Sequence, residues 1–149
     1  MESDKTPPGR VLALDYGAKR IGVALSDETN TIAFGKEVIS NDSKLFEKID
    51  RIVLDSGVGK IVIGYPLNLK GLKTAQTIEV EKFELQLKDF FSKLGKEVDI
   101  VRYDERFTSK MAQDSMIQSG MKKKKRQDKS NLDIISASLI LQSYLDSMK

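Results

Sequence analysis

Val11 to Leu14 is an unbroken apolar run, and Ile21 to Leu25 is a second one interrupted only by Gly22. Runs without polar alternation predict strands covered on both faces, so the first is read as a central strand. Gly17 permits a turn between the two, and Gly22 allows another backbone to approach closely. After a turn at Asp27–Asn30 a third strand is predicted from Ala33 to Ile39, completing an antiparallel meander. Leu45, Ile49, Ile52 and Val53 recur at helical spacing and predict a helix over Ser43–Asp55, stopped by Ser56-Gly57. Lys60–Gly64 reads as a short buried strand that opens into the loop Tyr65–Gly71. A long helix is expected over Thr74–Leu94, with Val80, Phe83, Leu87, Phe90, Phe91 and Leu94 on one stripe and Gly95 at its end. Val98–Tyr103 predicts a fifth strand. Helices over Ser109–Gln118 and Asn131–Ser147 follow. The fold class is α/β: a five-stranded mixed sheet, a three-strand antiparallel meander plus two parallel strands, with helices on both faces. Residues 1–9, ending in Pro-Pro-Gly, read as a flexible tail and 10–149 as a single domain.

Composition narrows the chemistry. The chain has 149 residues, 40% of them hydrophobic, which suffices for one sizeable core. It contains no Cys and no His, so thiolate nucleophiles, disulfides, imidazole bases and the usual zinc sites are excluded. Catalysis must rest on carboxylates, Lys, Arg, Tyr, Ser or Thr, or on a hard cation held by oxygen. No apolar run reaches the length a bilayer requires and the N-terminus is polar, so no membrane partner and a cytoplasmic location are expected. Lys and Arg number 25 against 22 Asp and Glu; an excess of three favours a polyanionic partner only weakly, and placement of the charges matters more.

Three carboxylates stand out. Asp15 ends the central strand in phase with Val11 and Ala13, where an unpaired charge is costly unless a metal or partner satisfies it. Glu105 follows the fifth strand. In an open α/β sheet, sites gather beyond the carboxyl ends of parallel strands, where both residues are expected. Asp133 lines up with Ala137, Ile140 and Tyr144 on the sheet-facing side of the last helix. Structural readings compete with this one: Asp15 satisfying turn amides, Glu105 pairing with Arg106 or Arg102, and Asp133 closing a capping box with Ser130. Joint placement at one edge favours a cation site.

The stretch Leu14-Asp15-Tyr16-Gly17-Ala18-Lys19-Arg20-Ile21-Gly22-Val23-Ala24 resembles the opening motif of the YqgF family, of the RuvX type, whose members are described as pre-16S rRNA nucleases or Holliday-junction resolvase-like proteins. Gly64-Tyr65-Pro66-Leu67-Asn68, Asp104-Glu105-Arg106-Phe107-Thr108-Ser109 and Lys129 to Ala137 match later motifs in order and spacing, so the resemblance spans nearly the whole chain. It implies a ribonuclease H-like fold, with Asp15, Glu105 and Asp133 as the catalytic, metal-binding set and Asp104 and Arg106 close by. The chain departs from the pattern at Lys70-Gly71, where an acidic residue usually precedes the glycine, and at Ser136 and Ser138, where alanines are common.

Carboxylates hold Mg²⁺ or Mn²⁺ through oxygen, and a bound cation lowers the pKa of water, so hydrolysis of a phosphodiester needs no histidine. Lys19, Arg20 and Arg106 flank the motifs as phosphate contacts, with Asn68 as a substrate contact in the loop. The run Lys122, Lys123, Lys124, Lys125 and Arg126 precedes the helix bearing Asp133 and is read as a grip on a nucleic-acid backbone. The expected partner is nucleic acid, a structured RNA precursor or branched DNA, met by a monomer or weak homodimer. The expected function is divalent-metal-dependent cleavage in maturation of the 16S rRNA precursor. The alternatives are a Holliday-junction resolvase and a non-catalytic nucleic-acid-binding factor of the same fold. An actin-like phosphotransferase would need a second nucleotide-binding half, for which the chain has no room.

Overall fold

The computed structural model describes residues 9–106 and 129–148. The helix expected over 109–118, the basic run 122–126, Phe107 and most of the N-terminal segment lie outside the described residues. In chain order the elements are β1 (Arg10–Asp15), β2 (Arg20–Ser26), β3 (Ala33–Ser40), α1 (Leu45–Ser56), β4 (Val58–Tyr65), α2 (Ala75–Lys93), β5 (Asp99–Asp104) and α3 (Lys129–Ser147). Boundaries differ from the sequence reading by about two residues or fewer, as helix and strand ends commonly do.

β1 is the middle strand of the order β3-β2-β1-β4-β5. It pairs antiparallel with β2 and parallel with β4, β2 pairs antiparallel with β3, and β4 pairs parallel with β5. Its uniform apolarity follows from that position: Val11 is 5% exposed and Leu12, Ala13 and Leu14 are fully buried. β3 is the opposite case. As an edge strand it leaves Phe34, Lys36 and Glu37 exposed, and a register shift sets Lys36 between the pairs Ala24–Gly35 and Val23–Glu37. Charge and irregularity there discourage pairing with another sheet.

The strands' alternating phases sort the side chains onto two faces. Leu12, Leu14, Ile21, Val23, Ile61 and Ile63 pack with Leu45, Ile49, Ile52 and Val53 of α1 and with Val80, Phe83, Leu87 and Phe91 of α2. Val11, Ala13, Ala24 and Val62 meet Ala137, Ile140, Leu141 and Leu145 of α3. Gly57, at φ +64°, closes α1 by donating its N–H to Val53 O, which is the left-handed ending that glycine favours. Thr74 caps α2 in a reciprocal box with Thr77.

Two expectations are corrected. Leu94 is the C-cap of α2 and is 48% exposed, so it does not belong to the buried stripe. Glu84 does: it is 4% exposed, paired with Arg102 at 2.8 Å and Lys88 at 3.4 Å. A hydrophobic pattern omits an acid whose partner arrives from another strand. The capping box at Asp133 does not hold either, because α3 already includes Lys129 and Ser130, which places Asp133 within the helix.

Candidate functional site

β1, β4 and β5 run parallel, so their carboxyl ends emerge at one edge, and antiparallel β2 begins there with Arg20. Asp15 ends β1 opposite Gly22. Its phase is that of Val11 and Ala13, the face covered by α3. Asp133 lies one turn before Ala137 on the same helix. Glu105 turns back over β4: a Cβ built on Gly64 would lie 2.2 Å from Glu105 Oε2 and 2.7 Å from Cδ1 of Ile140. The third carboxylate is thereby drawn to the α3 side as well. At Gly22 a Cβ would lie 2.2 Å from the backbone oxygen of Asp133, as the expected close approach requires. Both glycines serve by lacking a side chain: one lets α3 settle against β2, the other leaves room for a carboxylate.

The electrostatics record the convergence. Asp15 is pushed up from its ordinary 3.8 to about 8, first by burial, then by the charges of Glu105 and Asp133. Glu105 is pushed up from its ordinary 4.5 to about 7, first by burial and then by Asp104. Asp133 is engaged by a cationic side chain. Its Oδ2 accepts a hydrogen bond from Arg20 Nε at 3.0 Å, with both side chains about one-third exposed (33% and 29%). Among the described residues, no group of three or more acidic side chains closes into an arrangement ready to hold a metal ion.

The expected substrate contacts fare differently. Lys19 is exposed, and its carbonyl accepts from Asn41 N at 2.9 Å, which ties down the β1–β2 turn. Arg20 is held by Asp133. Arg106 forks onto Asp104, with Nε at 2.8 Å and Nη2 at 2.7 Å from Oδ2, while its amide donates to Oδ1 at 2.9 Å. Burial pulls Asp104 upward, but the Arg106 bonds outweigh it and hold its carboxyl below its ordinary value. Asn68 is exposed, and its Oδ1 accepts from the amides of Lys70 and Leu72 at 2.9 and 3.0 Å, which shapes its own loop. That loop reaches Arg106 at Gly71, where φ is +80° and a Cβ would lie 3.0 Å from Nη1. Lys122, Lys123, Lys124, Lys125 and Arg126 lie outside the described residues.

Sequence reading did not anticipate Gly64 as the seat of Glu105, Asp104 as the clamp on Arg106, or Arg20 as the partner of Asp133. A glycine closing an otherwise apolar strand was the available signal for the first. Tyr65, beside Gly64, is anchored on the other face: its hydroxyl donates to Glu81 at 2.6 Å and Arg102 sits 4.6 Å over its ring. Tyr16 packs on Phe83, ring centroids 4.6 Å apart. Among the described residues no helix is long and apolar enough to cross a membrane.

The model of the family described as "RuvX: Holliday junction resolvase" matches residues 9–147. A protein of Sulfurihydrogenibium sp. is 42% identical over 139 residues, 93% of this chain and 91% of its own, and one of Flavobacterium psychrophilum is 43% identical over 136 residues, 91% and 96%. Both carry the name "Putative pre-16S rRNA nuclease". Among solved structures, the fowlpox virus resolvase with its substrate Holliday junction DNA superposes with a TM-score of 0.60 at 15% identity, covering 93% of this chain and 98% of that one. T. thermophilus RuvC in complex with a Holliday junction substrate gives 0.57 at 12%, covering 94% and 96%. Likeness at such low identity establishes the ribonuclease H-like fold, and the sequence relatives establish the rest. The chain belongs to the RuvX family and is a nuclease, a hydrolase of phosphodiester bonds.

Proposed function

We propose that the chain hydrolyses phosphodiester bonds with Mg²⁺ or Mn²⁺, using Asp15, Glu105 and Asp133 both as the catalytic set and as the cation's ligands, and that its substrate is a precursor of small-subunit ribosomal RNA. The observation that carries this reading is the placement of three acids at one edge: Asp15 ends the central strand, Glu105 lies over Gly64 and Asp133 comes from α3 against Gly22, an arrangement in which burial and the two further acids push Asp15 up and which costs stability in isolation. A dication fits that donor set, since it would neutralise the charges that burial and proximity make expensive, and hard oxygen ligands suit it. When bound, such a cation supplies Lewis acidity toward phosphorus and a nucleophile from water at neutral pH.

The chain's own residues do the rest. Glu105 is kept at the edge by the space over Gly64, and Asp15 by the central strand. Arg106, oriented by Asp104, and Lys19, exposed on the β1–β2 turn, flank the carboxylates where a phosphate backbone would pass. The segment Lys122–Arg126 supplies sequence-independent affinity. The setting is cytoplasmic, and the protein acts as a monomer or weak homodimer.

A branched-DNA substrate is the second reading, favoured by the description of the family; cutting two strands symmetrically would call for a two-fold dimer. The deciding experiment incubates purified protein with Mg²⁺ or Mn²⁺ on the RNA precursor and on a four-way DNA junction, with Asp15→Asn as control. Cleavage of RNA that requires the cation and Asp15 and leaves 5′-phosphate and 3′-hydroxyl ends is expected. Ends bearing 2′,3′-cyclic phosphate would mean attack by the RNA's own hydroxyl. Binding without cleavage under any cation would make the chain a non-catalytic nucleic-acid-binding factor.

A further inference from the structure

The carboxylate that the cation reading needs from α3 is already engaged. Asp133 Oδ2 accepts the Arg20 Nε hydrogen bond at 3.0 Å, and Arg20 begins β2 at the very edge where Asp15 ends β1. Both side chains are about one-third exposed (33% and 29%), so the pair is water-screened and weak enough to be exchanged. The backbone beneath it is not exchangeable: Gly22, two residues into β2, lies against the Asp133 backbone. The two groups are thus held as neighbours whether or not their side chains touch.

We propose that Arg20 is a built-in competitor for the cation: it holds Asp133 until a divalent cation takes the carboxylate, and the released guanidinium then captures a phosphate of the nucleic acid. This rests on the cation reading of Asp15, Glu105 and Asp133 given above. Arg20 is a positioning residue in this scheme, since it acts through Asp133 and through the polyanion. One side chain then couples the two ligands. Each favours the arrangement in which Asp133 and Arg20 have parted, so each strengthens binding of the other. Lys19, its exposed neighbour, lacks such a partner-dependent state among the contacts described and contributes a constant charge.

Two measurements test this without reading catalysis. The first is a double-mutant cycle on Mn²⁺ affinity, followed by calorimetry, in the parent, Arg20→Gln, Asp133→Asn and the double variant. Arg20→Gln is expected to tighten Mn²⁺ binding by up to about fivefold, the range a partly exposed ion pair can supply, and to have little effect once Asp133 is Asn. A gain that persists in the Asp133→Asn background would reduce Arg20 to a distant charge and overturn the proposal. A weakening on Arg20→Gln would make Arg20 a brace for Asp133 and overturn it as well. A parent that binds no Mn²⁺ would instead overturn the cation reading on which the proposal stands. The second measurement is the salt dependence of affinity for a short RNA hairpin, its integrity checked by gel. With Mn²⁺ the parent's log–log slope should exceed that of Arg20→Gln by about one phosphate contact, and without Mn²⁺ the two slopes should coincide. Equal slopes in both conditions would overturn the phosphate half of the proposal.

Discussion

The two faces of the sheet are built from the same five strands but to different standards. Toward α1 and α2 the strands present Leu12, Leu14, Ile21, Ile61 and Ile63, met by Phe83, Leu87 and Phe91 in a dry core of large side chains. Toward α3 they present Val11, Ala13, Ala24 and Val62, met by Ala137, Ile140, Leu141 and Leu145, with Gly22 pressed against the Asp133 backbone and Gly64 beneath the Glu105 carboxylate. The first face contributes stability through apolar area. The second meets its helix with smaller strand side chains, and at its carboxyl edge the close approach brings Asp15, Glu105 and Asp133 within electrostatic reach. On the proposed reading of the three carboxylates, the sheet divides by face: the thick side toward α1 and α2 holds the fold, and the edge of the thin side toward α3 holds the candidate site.

That division breaks most visibly from the thick side. Phe91→Ala removes a 2%-exposed ring and should cost about 3–5 kcal/mol in denaturant melts. The folded fraction should keep an unchanged Asp15 titration, because the ring packs on the opposite face.

Substitutions on the thin side should separate into two kinds. Gly22→Ala sets a Cβ against backbone, the Asp133 carbonyl oxygen, so α3 must shift; the expected cost is about 1–3 kcal/mol together with loss of activity. Gly64→Ala meets only the ends of Glu105 and Ile140, which can swing aside. Its stability should stay within about 1 kcal/mol of the parent, while displacement of Glu105 lowers kcat about a hundredfold. Should Gly64→Ala leave kcat unchanged, Glu105 has no part in the chemistry.

The raised carboxyls predict the pH dependence. A folded state with Asp15 near 8 and Glu105 near 7 binds more protons than the unfolded chain above about pH 4, so without metal stability falls as pH rises from there to about 8. Asp27 works in the opposite sense at lower pH. Hydrogen bonds from Ile32 N, Thr29 and Thr31 N hold it at about 2, and that contribution is present above its ordinary 3.8 and lost as pH falls toward 2. Asp15→Asn should flatten the decline between pH 5 and 8 and leave the metal-free fold as stable as the parent or more so. Added Mg²⁺ or Mn²⁺ should stabilise the parent more than the variant. Melts at pH 5 and 8 with and without cation check all three. A variant clearly destabilised at pH 8 would make Asp15 a structural partner.

The smallest effect is expected at Leu94. It has the residue type of the core stripe but stands 48% exposed at the end of α2, so Leu94→Ala should change stability by about 0.5 kcal/mol or less.

Periodicity and residue type determined the eight described elements, the central place of β1, the mixed sheet and the side of β1 on which Asp15 lies, because each depends on neighbours within one strand or one helical turn. They also excluded His and Cys chemistry outright, since neither residue occurs. Tertiary structure alone decided the partners. Arg20 meets Asp133 across 113 residues, Arg102 reaches Glu84 from another element, and Glu105 rests over Gly64, 41 residues before it by their positions in the chain. Charged side chains are long and directional, and several cations stand near these acids in the sequence. Which pair forms depends on strand order and helix approach, and no local pattern encodes either. Arg106 is the local exception: its fork closes on Asp104, two residues back.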